Sequence, residues 1–105
     1  MASRPTMQSC INNLMNANNL TLEMVQQEVE FLQKTLENLR FNGTISNDSY
    51  LHAGAVEGGL SMLANLIELG ISSDEVGDHL RQLHERAGRI DEAHPALGPS
   101  VAASR

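Results

Sequence analysis

Histidine is the residue type in this chain best suited to acid–base or metal chemistry, and four are present. His79 and His84 are five residues apart, which separates them by about 140° around a helix, so they cannot bind one ion. Glu75 and His79 have the i,i+4 spacing of half a metal site. No other ligand pair completes the set at a suitable spacing. We therefore expect neither a metal nor a cofactor.

His52 suggests a second chemistry, that of a helical phosphotransfer domain with a phosphorylated imidazole. Such a site favours a positive charge and a small residue within the turn that follows the histidine. Here Ala55 and Val56 occupy those positions, and Glu57 comes next. A carboxylate close to a phosphorylated imidazole repels it, so this function is disfavoured.

Cys10 is the single cysteine, so no intrachain disulfide can form. It falls on the apolar side of a short predicted helix, and we interpret it as a small buried hydrophobe rather than a reactive thiol. The sequence contains no nucleophile-and-base signature, no phosphate-binding glycine loop and no convincing pair of carboxylates. We predict that the protein is not an enzyme.

The charge distribution argues against nucleic acid and membrane surfaces as partners. The formal net charge is −6, Lys34 is the single lysine, and the arginines are scattered. A helix-turn-helix at residues 69–72 is disfavoured because Asp74, Glu75 and Asp78 open the following helix, where they would repel phosphates. With no signal-peptide pattern and no membrane-length apolar run, we predict a cytoplasmic protein.

Three small residues share one face of a predicted helix and allow two interpretations. Gly54, Gly58 and Ser61 have the spacing that lets another helix approach closely, within the chain or across a subunit interface. Alternatively, the same face could form a shallow bay for a small ligand, with Tyr50 and His52 beside it. We favour the close helix crossing, because helix crossings are far more numerous than ligand pockets.

Two heptad patterns predict long helices in the middle of the sequence, and one of these helices carries the small residues and His52. The apolar side chains of one long stretch recur at intervals of three and four residues: Leu22, Val25, Val29, Leu32, Leu36 and Leu39. This spacing predicts a helix with a narrow apolar seam, which we assign to an interface between copies of the chain. A second heptad follows after a short Asn-Gly turn, at Ala53, Val56, Leu60, Leu63 and Ile67. The two stretches are expected to form an antiparallel hairpin.

The predicted architecture is all-α: a helical hairpin within a four-helix arrangement, with heptad-patterned seams and assembly into an oligomeric bundle. We expect a disordered N-terminus at residues 1–6 and a single helical domain at residues 7–93. Its helices should cover about residues 7–17, 21–40, 48–69 and 73–93. The segment at residues 94–105 is rich in proline and small residues and is expected to be a disordered tail.

Two functions remain open on this basis. The first is a small cytoplasmic protein–protein interaction protein, a regulator, adaptor or inhibitor, that acts as a helical homo-oligomer with a still unidentified protein partner. The alternative is an oligomeric protein that binds or sequesters a small ligand in pockets at subunit interfaces.

Overall fold

The computed structural model describes residues 5–105 and contains α-helices joined by short connections. The helices are α1 (Met7–Met15), α2 (Leu22–Phe41), α3 (Asn47–Glu68), α4 (Ser73–Ala93) and α5 (Leu97–Ala103). The expected all-α class is confirmed, and residues 5–105 contain no strand. Residues 1–4 of the expected disordered N-terminus lie outside the described residues. Within the described part of the chain, no helix combines the length and apolar character needed to cross a membrane.

Local sequence signals explain where the longer helices begin and end. Thr21, Ser46 and Ser72 are the N-caps of α2, α3 and α4, and each side chain accepts a hydrogen bond from the backbone N–H three residues later. Gly43 and Gly70 follow α2 and α3 with φ angles of 79° and 89°, a conformation that favours glycine after a helix end. The first four helices accordingly begin and end within two residues of their expected positions.

The core is aliphatic and lies between two antiparallel helix pairs. α2 packs along α3, α1 packs along α4, and α3 also contacts α4. The largest side chains that are almost wholly buried are Met7, Ile11, Val25, Leu32, Val56, Leu60, Leu63, Leu97 and Val101. Because α1 has only nine residues, its stability depends on this packing rather than on helix propensity.

The expected disordered tail at residues 94–105 is wrong for most of its length. Residues 97–103 form α5, and Leu97 and Val101 are each only 1 % exposed. Gly98 packs so tightly on the start of α1 that an added Cβ would lie 2.4 Å from the Cα of Thr6. Pro99 is compatible with the helix because it stands in the first turn, where a backbone N–H has no intrahelical partner.

A carboxylate of α4 holds the N-terminus of α1. Asp91 accepts hydrogen bonds from the backbone N–H groups of Met7 and Gln8, at 2.8 and 3.1 Å. The side chain of Gln8 donates in return to the backbone carbonyl of His84 at 3.0 Å. Asp91, far from α1 in the sequence, therefore satisfies two helix-end N–H groups that would otherwise lack partners.

Candidate functional site

The heptad seam of α2 forms the core of the hairpin. Five of its six side chains are at most 9 % exposed within the single chain, namely Val25, Val29, Leu32, Leu36 and Leu39, and Leu22 at the helix start is half-buried. The buried positions of α3 face them: Ala53, Val56, Leu60 and Leu63. The seam therefore has little surface left for a second copy, and any self-association needs another face.

The close helix crossing occurs at a different glycine from those expected. A Cβ added to Gly54 or Gly58 would meet nothing within 4 Å. One added to Gly59 would lie 2.3 Å from Cδ2 of Leu83 on α4. Adjacent residues differ by about 100° around a helix, so Gly58 and Gly59 have different surroundings. Ser61 is half-buried on the α2 side of α3.

Tyr50 and His52 do not share a pocket. Tyr50 and Gly54 line a groove between α2 and α3, together with Leu36 and Glu57. His52 lines another groove, between α3 and α4. The two side chains lie on opposite flanks of α3, so the expected single bay beside the glycines is not formed.

Among residues 5–105, three exposed large hydrophobic side chains lie along the side of α3 opposite the core. We call this side the outer face of α3, defined by Leu51, Ala55, Gly58, Met62 and Leu69. Their spacing of four, three, four and seven residues places them on one stripe. Leu51, Met62 and Leu69 are 63 %, 61 % and 82 % exposed. This second stripe was readable in the sequence, but the stronger buried heptad of the same helix obscured it.

The outer face of α3 carries no charged side chain between Leu51 and Leu69. Glu57 and Glu68 lie on other sides of the helix. Asp48, seven residues before Ala55, continues the stripe at its N-terminal end. A solvent-facing helix surface normally carries charged and polar side chains. An uncharged stripe with several exposed large hydrophobic side chains is the kind of surface at which proteins commonly associate.

A chain of hydrogen bonds crosses from the start of α3 to the end of α4. The hydroxyl of Ser46 donates to the Oγ of Ser49 at 3.1 Å. The Oγ of Ser49 lies 3.0 Å from Nδ1 of His94, and Nε2 of His94 lies 2.9 Å from Nδ1 of His52. Sequence reasoning missed His94 because it lies in the supposed disordered tail, and only the packing of α4 on α3 brings it to His52.

The titratable residues of the structure do not gather into a metal site. Among residues 5–105, no group of three or more His, Cys, Asp and Glu side chains is arranged to hold an ion. Glu75 and His79 belong to no such group. The pair formed by His52 and His94 lacks a third ligand of those types.

Cys10 lies in the core and contacts the side chain of Arg105. The thiol is buried, and Nη2 of Arg105 lies 3.3 Å from its Sγ. The same guanidinium binds both carboxylate oxygens of Glu28 and stacks on Phe31, with Cζ 4.1 Å from the ring centroid. Burial, with the nearby Glu28 charge, raises the pKa of the Cys10 thiol, while Arg105 opposes the rise.

The raised pKa of Cys10 predicts an unreactive thiol and a loss of stability in alkali. Ellman's reagent should react with the native chain at least about tenfold more slowly than with the urea-unfolded chain, because a buried thiol forms little thiolate. The contribution of the thiol to stability is fully present below the unfolded-state pKa. It is lost as the pH rises through the raised folded-state pKa, because the unfolded chain ionises first. Equal reaction rates, or a Cys10→Ala variant with the same alkaline loss, would contradict this prediction.

The chain matches no protein-family model, no curated protein and no solved structure. Its function is therefore to be inferred from its own fold and surfaces.

Proposed function

We propose that this chain is a small protein–protein interaction protein of the cytoplasm that works as a helical homo-oligomer. The outer face of α3 is the surface through which two copies associate. The assembled form then serves as a regulator, adaptor or inhibitor of another protein. A buried, unpaired Cys10 thiol is compatible with a reducing compartment.

The observation that carries this proposal is the uncharged apolar stripe on the solvent side of α3. Leu51 and Met62 are large and exposed, and they flank Gly58, where a Cβ would meet open space. Two helices that cross at a glycine come close at the centre, while larger side chains fill the widening gap on either side. A second copy offers the same stripe, and a two-fold interface requires a surface that can pack on itself. The absence of charge between Leu51 and Leu69 lowers the like-charge repulsion that two acidic chains would otherwise meet at this surface.

Self-association is tested by placing a charge on the stripe. Met62→Asp should weaken association of the full chain by at least about tenfold, because a carboxylate would be buried without a partner. Sedimentation equilibrium over a range of concentrations measures the effect. Because Met62 is 61 % exposed in the single chain, the helical circular dichroism of the dissociated variant should be preserved.

Phe41→Asp is the matched control for this experiment. Phe41 is 92 % exposed at the end of α2 and so belongs to a different helix from the outer face of α3, and its replacement adds the same charge. The proposal is wrong if the unmodified chain is monomeric at all concentrations, or if Phe41→Asp dissociates it as strongly as Met62→Asp does.

A further inference from the structure

The groove between α3 and α4 is lined by basic and apolar side chains, although the protein as a whole is acidic. The groove has a volume of about 320 Å³ and is lined by His52, Ala55, Arg86, Arg89, Ile90 and Ala93. Ala55, Ile90 and Ala93 provide apolar surface, and the other three side chains provide hydrogen-bond donors. No carboxylate lines it, although the chain has 13 acidic residues against 7 basic ones. A groove of this size accommodates a small molecule.

The two arginines of the groove have no carboxylate partner among residues 5–105. This contrasts with Arg81, which pairs with Asp78, and with Arg105, which pairs with Glu28. Arg86 and Arg89 stand three residues apart on α4, a spacing at which like charges repel on a helix. An anion bound between them would remove this repulsion and accept their planar, forked donors.

The carboxylates of α3 and α4 lie outside the lining of the groove, and among residues 5–105 none forms an ion pair with Arg86 or Arg89. Glu85 and Glu92 of α4 are exposed and do not line it. On α3, Glu57 belongs to the groove on the opposite flank, with Tyr50. The surface that faces Arg86 and Arg89 from α3 is therefore His52 and Ala55.

The hydrogen-bond chain through His94 gives His52 a defined role in this groove. Nδ1 of His94 lies 3.0 Å from the Oγ of Ser49, and Nε2 of His94 lies 2.9 Å from Nδ1 of His52. Nδ1 of His52 is therefore engaged within the protein, and Nε2 is the ring nitrogen left for a ligand. When Nε2 of His52 carries a proton, it is a third donor beside the two arginines.

We propose that this groove binds a small organic oxyanion, a carboxylate or a phosphate monoester, that carries a compact apolar body. The oxyanion accepts hydrogen bonds from Arg86, Arg89 and Nε2 of His52. The apolar body lies on Ala55, Ile90 and Ala93. The groove shares Ala55 with the outer face of α3, but its hydrogen-bond donors lie outside that face. Its tests do not measure self-association, so either proposal can fail without the other.

The test is a titration of the full chain followed by two-dimensional ¹H–¹⁵N NMR, with hexanoate, phenyl phosphate and hexanol as probes. We expect saturable shifts centred on the groove residues for at least one anion. Hexanol should bind at least about tenfold more weakly because its neutral hydroxyl cannot form an ion pair with the arginines. A stronger response to phenyl phosphate would support the proposal with a phosphate ester as ligand class, and one to hexanoate would support it with a carboxylate.

Variants separate the groove from general attraction of anions to arginine. Arg86→Gln combined with Arg89→Gln should weaken anion binding at least about tenfold, whereas Arg81→Gln on the same helix should leave it unchanged. Arg86 and Arg89 are exposed, so the double variant should fold, which its amide spectrum reports directly. The proposal is overturned if neither anion gives saturable shifts up to high millimolar concentration, if hexanol binds equally well, or if Arg81→Gln has the same effect.

The position of the proton on His52 is tested by a separate spectrum. Long-range ¹H–¹⁵N correlations of the imidazole rings in slightly alkaline buffer should show His52 protonated on Nε2. A proton on Nδ1 would overturn the assignment of His52 as the third donor.

Discussion

Leu97→Ala should lower the free energy of unfolding by about 2–5 kcal/mol, the usual range for removing a fully buried leucine side chain from a core. Leu97 is 1 % exposed and lies at the start of α5, which packs against α1 and α2. The variant loses the transfer free energy of the missing groups and leaves a cavity that the short helix can fill only in part. Urea unfolding followed by circular dichroism measures the change.

Leu97→Met is the control that separates packing from other effects at this position. This substitution keeps the volume of the side chain nearly constant, so it should lower the free energy of unfolding by less than about 1.5 kcal/mol. Exposed surface positions usually change the free energy of unfolding by less than about 0.5 kcal/mol when substituted. If Leu97→Ala lowers it by no more than that, α5 does not belong to the core. The disordered tail expected from the sequence would then be the better description.

The sequence-based prediction succeeds where the signals are local. The ends of α2, α3 and α4 follow from Thr21, Ser46 and Ser72 at the N-caps and from Gly43 and Gly70 after the helices. Each signal acts within a few residues, so it can be read without knowledge of the tertiary structure. The alternation of apolar residues then locates the buried side of each long helix.

The failures concern contacts that depend on how helices meet. α5 has seven residues and no readable periodicity, and it exists because Leu97 and Val101 fit a site built by other helices. Whether Gly58 or Gly59 lies at the close helix crossing depends on where α4 crosses α3. The pairing of His52 with His94, 42 residues apart, has no local signal, and neither has the groove beside it.

Asp91→Ala should lower the free energy of unfolding by about 1.5–3 kcal/mol, because it removes two charge-assisted hydrogen bonds from a helix end. The carboxylate accepts from the backbone N–H groups of Met7 and Gln8. It also places a negative charge at the positive end of the α1 dipole. The Thr6 hydroxyl caps a different N–H, that of Ser9 at 3.2 Å, so it cannot take over the role of Asp91.

The neighbouring carboxylate provides a matched control, and hydrogen exchange provides a local measurement. Glu92→Ala removes an exposed carboxylate of the same helix turn and should change stability by less than about 0.5 kcal/mol. Asp91→Asn keeps one acceptor oxygen without the charge, so its cost should fall between those of the two alanine variants. In Asp91→Ala, the amides of α1 should exchange faster while those of the α2–α3 hairpin keep most of their protection, because the lost contacts belong to α1. Equal losses of stability in Asp91→Ala and Glu92→Ala would show that α1 is held by side-chain packing alone and that its N-terminal cap is dispensable.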